Sequence, residues 1–426
     1  MKSQHITQPI THLASQKIAQ YTQPHQFEPL LPEVARNGPL RELAGSLMVE
    51  ATQLAARANA LAQCELRTLL RSMNSYYTNR IEGEHTRPSE IEQALLQGFS
   101  SSAEVARKQR LALAHIRAEQ ACEAALQAEP SPTALAWLYQ PAQLLRIHAT
   151  LFDGLPEQDL RLGDGSLLRP GALRERGVAV GRHEAPPASA LPAFLARWQQ
   201  VYAAEPRGEA ALVAVAAAHH RLVWIHPFLD GNGRVARLHS HLLLSALGLC
   251  QGLWSPLRGF ARRESDYKAL LQAADEHRRG NLDGRGKLSH AALLDWIRFV
   301  LETCLDQVRF MSELLHLARM RERMSAALSF EAGRGASGVR PEALRPLHYL
   351  FATAEELPRA EFKAMTGLGE RVASGLVSAL LREGYLASDS PYGALRFAIP
   401  RHALRFYFPA LWPEAEAEAA RLPPTG

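Results

Sequence analysis

The sequence predicts an all-α protein, and three observations support this prediction. Apolar residues recur at helical spacing from Leu40 to Ile81 and in most later segments. Strand-like alternation is confined to two short stretches, near residues 177–181 and 385–399. Hydrophobic residues make up 47% of the chain and charged residues 21%, which is typical of a globular protein and excludes disordered and fibrous classes. At about 150 residues for each domain, the 426 residues predict two or three packed units.

The N-terminal region, residues 1–130, is predicted to be an arm followed by helices. Five prolines in residues 1–40 remove amide donors and fix φ, so we expect an extended arm that lies over the first domain. The helix that begins near Leu40 is expected to end at Gly83, because glycine accepts the left-handed conformation at a helix end. Further helical patterns begin after Pro88 and cover Ala103–Leu126, Ala134–Phe152 with a break at Pro141, Leu191–Ala204, Glu209–Trp224, Val235–Leu247, Glu264–Glu276 and Leu288–Leu328.

Residues 131–330 are predicted to form a central core that one non-helical segment interrupts. Residues 159–187 are rich in glycine, proline and arginine. Within them, Gly177–Gly181 alternates like a short strand, so we expect an exposed hairpin at this position.

The C-terminal region, residues 341–412, is predicted to be a separate small module that follows a glycine-containing linker at residues 331–340. Its three short helical patterns precede a small hairpin, an order that resembles a winged helix-turn-helix. Such a module reads DNA through its second helix. The last helical segment, Glu370–Glu383, carries only Arg371 and Arg382 as cations, so a protein-contact or dimerisation role is an equal alternative.

Composition restricts the compartment and the kinds of site. The net charge of +5 permits contact with nucleic acid or nucleotide without indicating any chemistry. The four cysteines are far apart and predict neither a zinc site nor disulfides. Apolar stretches such as Ala210–Ala218 are shorter than the ~20 residues of a membrane span, and the N-terminus resembles no signal segment, so we expect a cytoplasmic protein.

The most informative chemistry lies in residues 225–238, between two helical patterns. Gly231 and Gly233 fall where a loop meets a helix start, and there the backbone can approach a phosphate while unpaired amides point toward it. Asn232 can add a side-chain donor, and Arg234 and Arg237 share one helix face from which they can hold further phosphate oxygens. The segment therefore predicts a polyphosphate site.

Two further residues of this segment predict a reaction at the bound phosphates. Asp230 offers a carboxylate oxygen of the kind that Mg²⁺ prefers. His226 can take up a proton near neutral pH. A base, a metal ligand, an anion cradle and two cations together indicate phosphoryl or nucleotidyl transfer, which depends mainly on positioning and charge stabilisation.

The same segment resembles the signature of Fic-domain proteins, H-x-F-x-D/E-G-N-G-R-x-x-R. Every specified position matches, namely His226, Phe228, Asp230, Gly231, Asn232, Gly233, Arg234 and Arg237. Eight specified positions within twelve residues make a chance match improbable. Similarity to bacterial members extends over about residues 40–320, which implies a Fic helical core with a hairpin flap.

The resemblance implies transfer of AMP from ATP to a Tyr, Thr or Ser hydroxyl of a protein target, which could be the chain itself. His226 would be the general base, Asp230 would bind Mg²⁺, and the residues from Gly231 to Gly233 together with Arg234 and Arg237 would hold the phosphates. The family's flap aligns its target by strand addition, and Val178, Ala179 and Val180 fit that role. The flanking segment Gly171–Arg174 is also similar to the family, although Leu173 stands where an aromatic residue is common.

A second motif, Thr78 to Gly83, resembles the family's inhibitory pattern S/T-x-x-x-E-G/N. Thr78 and Glu82 share one helix face, and a carboxylate in a last helical turn needs a compensating cation. The resemblance implies that Glu82 pairs with Arg237 and occupies the place of the γ-phosphate. Related members also remove AMP, and the sequence leaves open whether this chain does so.

Alternatives come from other residues and other classes of protein. Tyr267 begins a helix and is equally suited to stacking on adenine or to core packing. Four histidines are predicted to be capping or packing groups that do not bind zinc, namely His219, His220, His239 and His241. Neighbouring and i,i+2 positions do not share a helix face, and no nearby cysteine or acidic ligand completes a set of four.

Two alternative functions stay open: a DNA-binding regulator with a nucleotide-sensing core, and a transferase of another phosphoryl-linked group. Gly233 argues against a kinase, because the family's kinase variant carries lysine there.

Overall fold

A computed structural model describes residues 21–33, 37–56, 60–129, 133–204, 207–335, 337–409 and 411. These residues divide into two compact units. The first unit takes residues 21–49, 71–250 and 255–307, and the second takes residues 50–70, 251–254 and the described part of 308–411.

The fold is all-α, as the sequence predicts. The α-helices of the described residues are α1 (Gly38–Ala55), α2 (Ala60–Ile81), α3 (Pro88–Leu96), α4 (Ala103–Ala128), α5 (Ala134–Leu138), α6 (Pro141–Leu151), α7 (Glu157–Leu160), α8 (Leu191–Tyr202), α9 (Gly208–Ile225), α10 (Asn232–Ala246), α11 (Leu257–Arg262), α12 (Glu264–Asp275), α13 (His290–Leu314), α14 (Leu317–Arg334), α15 (Leu344–Ala352), α16 (Arg359–Thr366), α17 (Glu370–Arg382) and α18 (Leu404–Tyr407). Short 3-10 helices are Pro24–Phe27, Ala188–Ala190, Pro341–Ala343 and Arg401–Ala403.

Several helix boundaries differ from the predicted ones. The predicted helix from Leu40 to Ile81 is two helices, α1 and α2. The predicted run at 288–328 is also two helices, because the backbone of His316 is extended. Helix α14 then continues to Arg334 and ends at Gly335, whose φ is 72°, so part of the predicted linker is helical.

The predicted arm lies partly outside the described residues, which include none of 1–20 and 34–36. Its described part contains the 3-10 helix Pro24–Phe27 and the start of α1. Phe27 and Leu30 are buried, so this part of the arm packs within the first unit.

The core of the first unit surrounds α9 and α10. Nearly all of α9 from Ala211 to Ile225 is buried, as expected for a helix that is apolar on every side. Helix α10 packs against α9, α4, α5 and α6. The loop that joins α9 to α10 is therefore held by the most buried helices of this unit.

The first unit also contains a small hairpin at the predicted position. Strand β1 (Ala179–Val180) pairs antiparallel with β2 (His183–Glu184), with Val180 opposite His183. Gly181 makes the turn with φ of 59°, a conformation that glycine adopts without steric cost.

The second unit contains the helices α15, α16 and α17 in the predicted order, followed by β3 (Leu386–Ala387) paired antiparallel with β4 (Arg396–Phe397). An isolated bridge joins Leu357 to Leu395. Phe362, Leu376 and Phe397 are among its buried apolar residues. The winged-helix assignment and a role in DNA binding stay predictions.

No α-helix in the described ranges has both the length and the apolar composition that crossing a bilayer requires.

Candidate active site

The loop between α9 and α10 reverses the chain through two residues in the left-handed conformation. His226 has φ of 51° and ψ of 61°, and Gly231 has φ of 79°. The left-handed conformation is costly for a residue with a side chain such as His226, so the surrounding contacts must maintain it. Position 231 requires glycine, because a Cβ there would lie 2.8 Å from the Phe152 ring.

Asn232 closes the loop on itself. The amide of Phe228 donates to Asn232 Oδ1, and Asn232 Nδ2 donates to the Phe228 carbonyl, each at 2.9 Å. The side chain is buried, so both of its polar atoms serve the loop. One N–H of Nδ2 is thus used within the loop, the main-chain amide of Asn232 lies at the start of α10, and donation from the side chain to a phosphate stays a prediction.

The start of α10 presents an anion cradle. The first intrahelical bond of this helix runs from the amide of Val235 to the carbonyl of Gly231. The amides of Asn232, Gly233 and Arg234 precede it, and these are the donors that a helix start leaves without intrahelical partners. Together with the helix dipole, they favour a negative group at this position.

A carboxylate of the chain itself lies at this cradle. A Cβ at Gly233 would be 2.5 Å from Glu82 Oε1, so the carboxylate is immediately beside the first turn of α10. Glu82 follows the end of α2, and the next residue, Gly83, turns the chain away with φ of 80°. The carboxylate is 29% exposed.

Arg237 holds Glu82 and the end of α2. Its guanidinium is only 1% exposed and forms an ion pair with Glu82. Its Nε donates to Thr78 Oγ1 at 2.8 Å, and its Nη2 donates to the Thr78 carbonyl at 3.4 Å. The structure thus brings Thr78 of α2 and Glu82, the residue after α2, to the same guanidinium on α10.

His226 has one ring nitrogen available as a base. Its Nδ1 lies 3.3 Å from the carbonyl of Val223, which can only accept, so Nδ1 carries the proton and Nε2 keeps its lone pair. Burial lowers the pKa of His226 to about 4, with further contributions from the charges of His183 and Arg174. The imidazole is therefore neutral at pH 7.

Arg174 connects the hairpin to this loop, and its side chain is almost fully buried. Its Nε donates to the His226 carbonyl at 2.7 Å, and Nη2 donates to the carbonyls of Ile225 and Pro186. Its Nη1 donates to the Arg176 carbonyl at 2.9 Å. One guanidinium thus binds both ends of the hairpin segment and the backbone of His226.

The hairpin has a second connection to the end of α9. His183 on β2 donates from Nε2 to the Trp224 carbonyl at 2.8 Å. Val178 is buried beneath the hairpin, and Ala179 and Val180 are partly exposed. These contacts hold the predicted flap residues next to the loop.

His148 supports the loop from α6, and sequence reasoning missed it. Its ring stacks on Phe228 with centroids 4.0 Å apart and planes 10° apart. The amide of Gly171 donates to Nδ1 at 2.7 Å, so Nε2 carries the proton and donates to the Asp230 carbonyl at 3.2 Å. Burial lowers its pKa to about 4. Nothing in the sequence connects α6 with this loop.

Asp230 and Arg234 lie at the outer side of the cradle. Asp230 Oδ2 pairs with Arg234 Nη2 at 3.0 Å, and the Asp230 side chain is 48% exposed. The Arg234 guanidinium lies over the Phe152 ring at 4.7 Å. Arg234 is thus held by an ion pair and a ring, while the half-exposed carboxylate of Asp230 is accessible to a hydrated ion.

Tyr267 lies in the core, with its ring against Phe260 and Trp296. Its hydroxyl pairs with His219 Nε2 at 3.0 Å. This position agrees with the packing role and gives adenine no access to the ring face.

Comparison with known proteins identifies the central part of the chain. The model of the Fic/DOC family matches residues 137–244. Proteins named protein adenylyltransferase Fic from Drosophila mojavensis and Drosophila grimshawi are each 33% identical over 144 residues, which cover 33% of this chain and 28% and 29% of theirs. The match thus spans less than a third of those relatives.

Among solved structures, a Fic family protein from Desulfovibrio desulfuricans G20 aligns with 89% of this chain and 98% of its own at 19% identity, with a TM-score of 0.47. The family match contains both the loop that joins α9 to α10 and its supports on α6. Residues 137–244 are therefore similar to the Fic/DOC family.

Proposed function

We propose that this chain transfers the AMP group of ATP to a Tyr, Thr or Ser hydroxyl of a protein, with pyrophosphate as the second product. The observation that carries this proposal is the loop itself. A neutral imidazole whose Nε2 keeps its lone pair adjoins a helix start whose amides can bind an anion, and the first turns of that helix carry Arg234 and Arg237. The names of the Drosophila relatives are consistent with this activity.

The chain's own groups account for each part of the transfer. Nε2 of His226 takes the proton of the incoming hydroxyl as its oxygen forms a bond to the α-phosphorus. The bond from that phosphorus to the bridging oxygen breaks, and pyrophosphate leaves with the electron pair. The amides at the start of α10, with Arg234 and Arg237, stabilise the negative charge that develops on the phosphate oxygens.

Mg²⁺ fits the residues at the outer side of the cradle. Asp230 provides a half-exposed carboxylate, and Mg²⁺ commonly binds one or two carboxylates together with phosphates and waters. When bound, the ion neutralises phosphate charge. His148 holds the backbone of Asp230, and Arg234 orients its carboxylate.

The hairpin is proposed to align the target. A short strand with backbone groups at its edge can pair with an extended peptide, a mode of recognition that depends little on sequence. Arg174 connects this hairpin to the carbonyl of His226. A target paired with β1 would therefore be positioned relative to the base.

Glu82 is proposed to inhibit the transfer. Its carboxylate lies beside Gly233 and pairs with Arg237, so it occupies part of the space and the charge that a terminal phosphate of ATP would use. A nucleotide would bind productively only after the carboxylate leaves.

The test compares labels placed at two phosphates of ATP. The wild-type chain, Glu82→Gly and Glu82→Gly/His226→Ala are incubated with Mg²⁺ and with ATP labelled at either the α- or the γ-phosphate. We expect self-labelling from α-labelled ATP in Glu82→Gly, weak labelling in the wild type and none in the double variant. Labelling from γ-labelled ATP would contradict the proposal, and so would labelling that persists without His226.

A further inference from the structure

A cluster of buried polar side chains lies between α4 and α10, apart from the nucleotide cradle. His115, Glu119 and Glu123 follow each other at intervals of four residues on one face of α4, and His241 faces them from α10. Each is at most 8% exposed. The carboxylates that face His241 come from a helix more than a hundred residues earlier, so no spacing near His241 indicates them.

The separations within this cluster are long for hydrogen bonds. His241 Nε2 lies 3.4 Å from Glu123 Oε1 and 3.7 Å from Glu119 Oε1. His115 Nδ1 lies 3.8 Å from Glu119 Oε2. Two ligand atoms that each lie about 2.0–2.1 Å from a tetrahedral ion are about 3.3–3.4 Å apart. The separations in this cluster are therefore close to those between two ligands of one ion, and longer than a normal hydrogen bond.

The cluster also has unsatisfied atoms. Among the described residues, three buried atoms of the cluster have no hydrogen-bond partner: Nδ1 and Nε2 of His115, and Oε2 of Glu119. Buried polar atoms without partners are rare and indicate a missing water or ion. His115 Nδ1 lies 3.8 Å from Glu119 Oε2, so this nitrogen is in position to bind the same ion as that carboxylate.

A second layer of residues orients the carboxylates. Arg71 donates to Glu123 Oε2 at 2.6 and 3.0 Å, and Asn74 donates to Glu119 Oε1 at 2.8 Å. Arg71 thus holds Glu123 Oε2 and leaves Oε1 facing His241. Asn74 holds Glu119 Oε1, which also faces His241, and leaves Glu119 Oε2 facing His115. Metal-binding carboxylates are typically fixed in this way.

We propose that Glu119, Glu123 and His241, with His115 as the fourth ligand, bind one divalent transition-metal ion. The mixed set of two imidazoles and two carboxylates suits Zn²⁺ better than Mg²⁺, which prefers oxygen ligands alone. Because all four ligands are buried, the site is structural and has no position for a substrate. Through Arg71 and Asn74 the ion would also fix α2, the helix that precedes Glu82.

The test measures metal in the full-length chain, purified without a metal-affinity tag and dialysed after incubation with Zn²⁺. We expect about one zinc ion bound per chain, measured by elemental mass spectrometry. Co²⁺ in its place should give the visible absorption of a tetrahedral site. Glu119→Gln and His241→Ala should each retain at least tenfold less zinc, whereas His316→Ala, at an exposed histidine of the second unit, should retain it.

Two results would overturn the proposal. The first is a wild-type chain that binds no zinc or cobalt, which would mean that the cluster is a metal-free ion network bridged by water. The second is a zinc content that Glu119→Gln leaves unchanged. The wild-type measurement does not depend on how well any variant folds.

Discussion

Replacement of Glu82 by glycine should destabilise the free chain and make it responsive to ATP. Breaking a buried ion pair by removal of one partner costs about 3–5 kcal/mol. Glu82 is 29% exposed, and Arg237 keeps its two contacts with Thr78. We therefore expect a smaller loss of unfolding free energy, about 2 kcal/mol, measured by urea denaturation. Glu82→Gln should lose a similar amount, which would exclude a backbone effect of glycine.

The response to ATP distinguishes an inhibitor from a structural ion pair. At a ligand concentration one hundred times Kd, a site that only the folded state offers stabilises by about 2.7 kcal/mol. We expect this gain in Glu82→Gly with ATP and Mg²⁺, and less than half of it in the wild type. Tryptophan fluorescence in urea series with and without nucleotide would measure both.

Glu84 offers a matched control for this experiment. Glu84 also follows α2, is 25% exposed and pairs with Arg107, so Glu84→Gly likewise removes the carboxylate of an ion pair with arginine. It contacts no residue of the cradle in the described structure, so we expect a loss of at most about 1 kcal/mol and no new response to ATP. Equal responses of the wild type and Glu82→Gly would refute the competition between Glu82 and nucleotide.

Two further substitutions test the supports of the loop. Gly231→Ala should lose about 1–2 kcal/mol of unfolding free energy from its left-handed backbone and about 1–3 kcal/mol more from overlap of the new Cβ with the Phe152 ring. Gly181→Ala should have the backbone cost alone, because no atom lies within 4 Å of its Cβ. Equal losses of unfolding free energy in urea would contradict the contact at Gly231. Because the pKa of His148 is about 4 in the fold and 6.5 in the unfolded chain, its contribution is complete above pH 6.5 and decreases as pH falls toward 4, by up to about 3 kcal/mol. Urea series at several pH values should show a shallower dependence in His148→Asn, and an unchanged dependence would contradict this assignment.

The contiguous parts of the site could be predicted from the sequence, because their geometry is local. His226, Asp230 and Gly231 lie within one loop, and the start of α10 follows from the helical pattern after it. The position of the hairpin was also predictable from its alternation. Glu82 could be related to Arg237 only through the resemblance to a known family, since no spacing joins residues 155 positions apart.

The rest of the site depends on contacts between distant segments. His148 and Arg174 reach the loop from α6 and from the segment before the hairpin, and neither neighbour can be read from a helical period. The polar atoms of Asn232 turned inward because the buried Phe228 backbone needed partners. The predicted absence of a metal ligand near His241 was based on sequence neighbours alone, and α4 supplies carboxylates that this reasoning could not see.

The attachment of α2 bears on how quickly the chain could respond to a signal. Four residues of α2 are hydrogen-bonded to α4 or α10, namely Arg71, Asn74, Ser75 and Thr78. Sliding the whole helix would therefore break the bonds of all four residues at once. Glu82 is beyond the last helical residue and 29% exposed, so under the proposed inhibition rotation about its side-chain bonds would move the carboxylate without moving α2. Side-chain turns of this kind take picoseconds to nanoseconds, whereas helix shifts take microseconds or longer. Opening would then be limited by the strength of one charge pair and not by the speed of a moving helix.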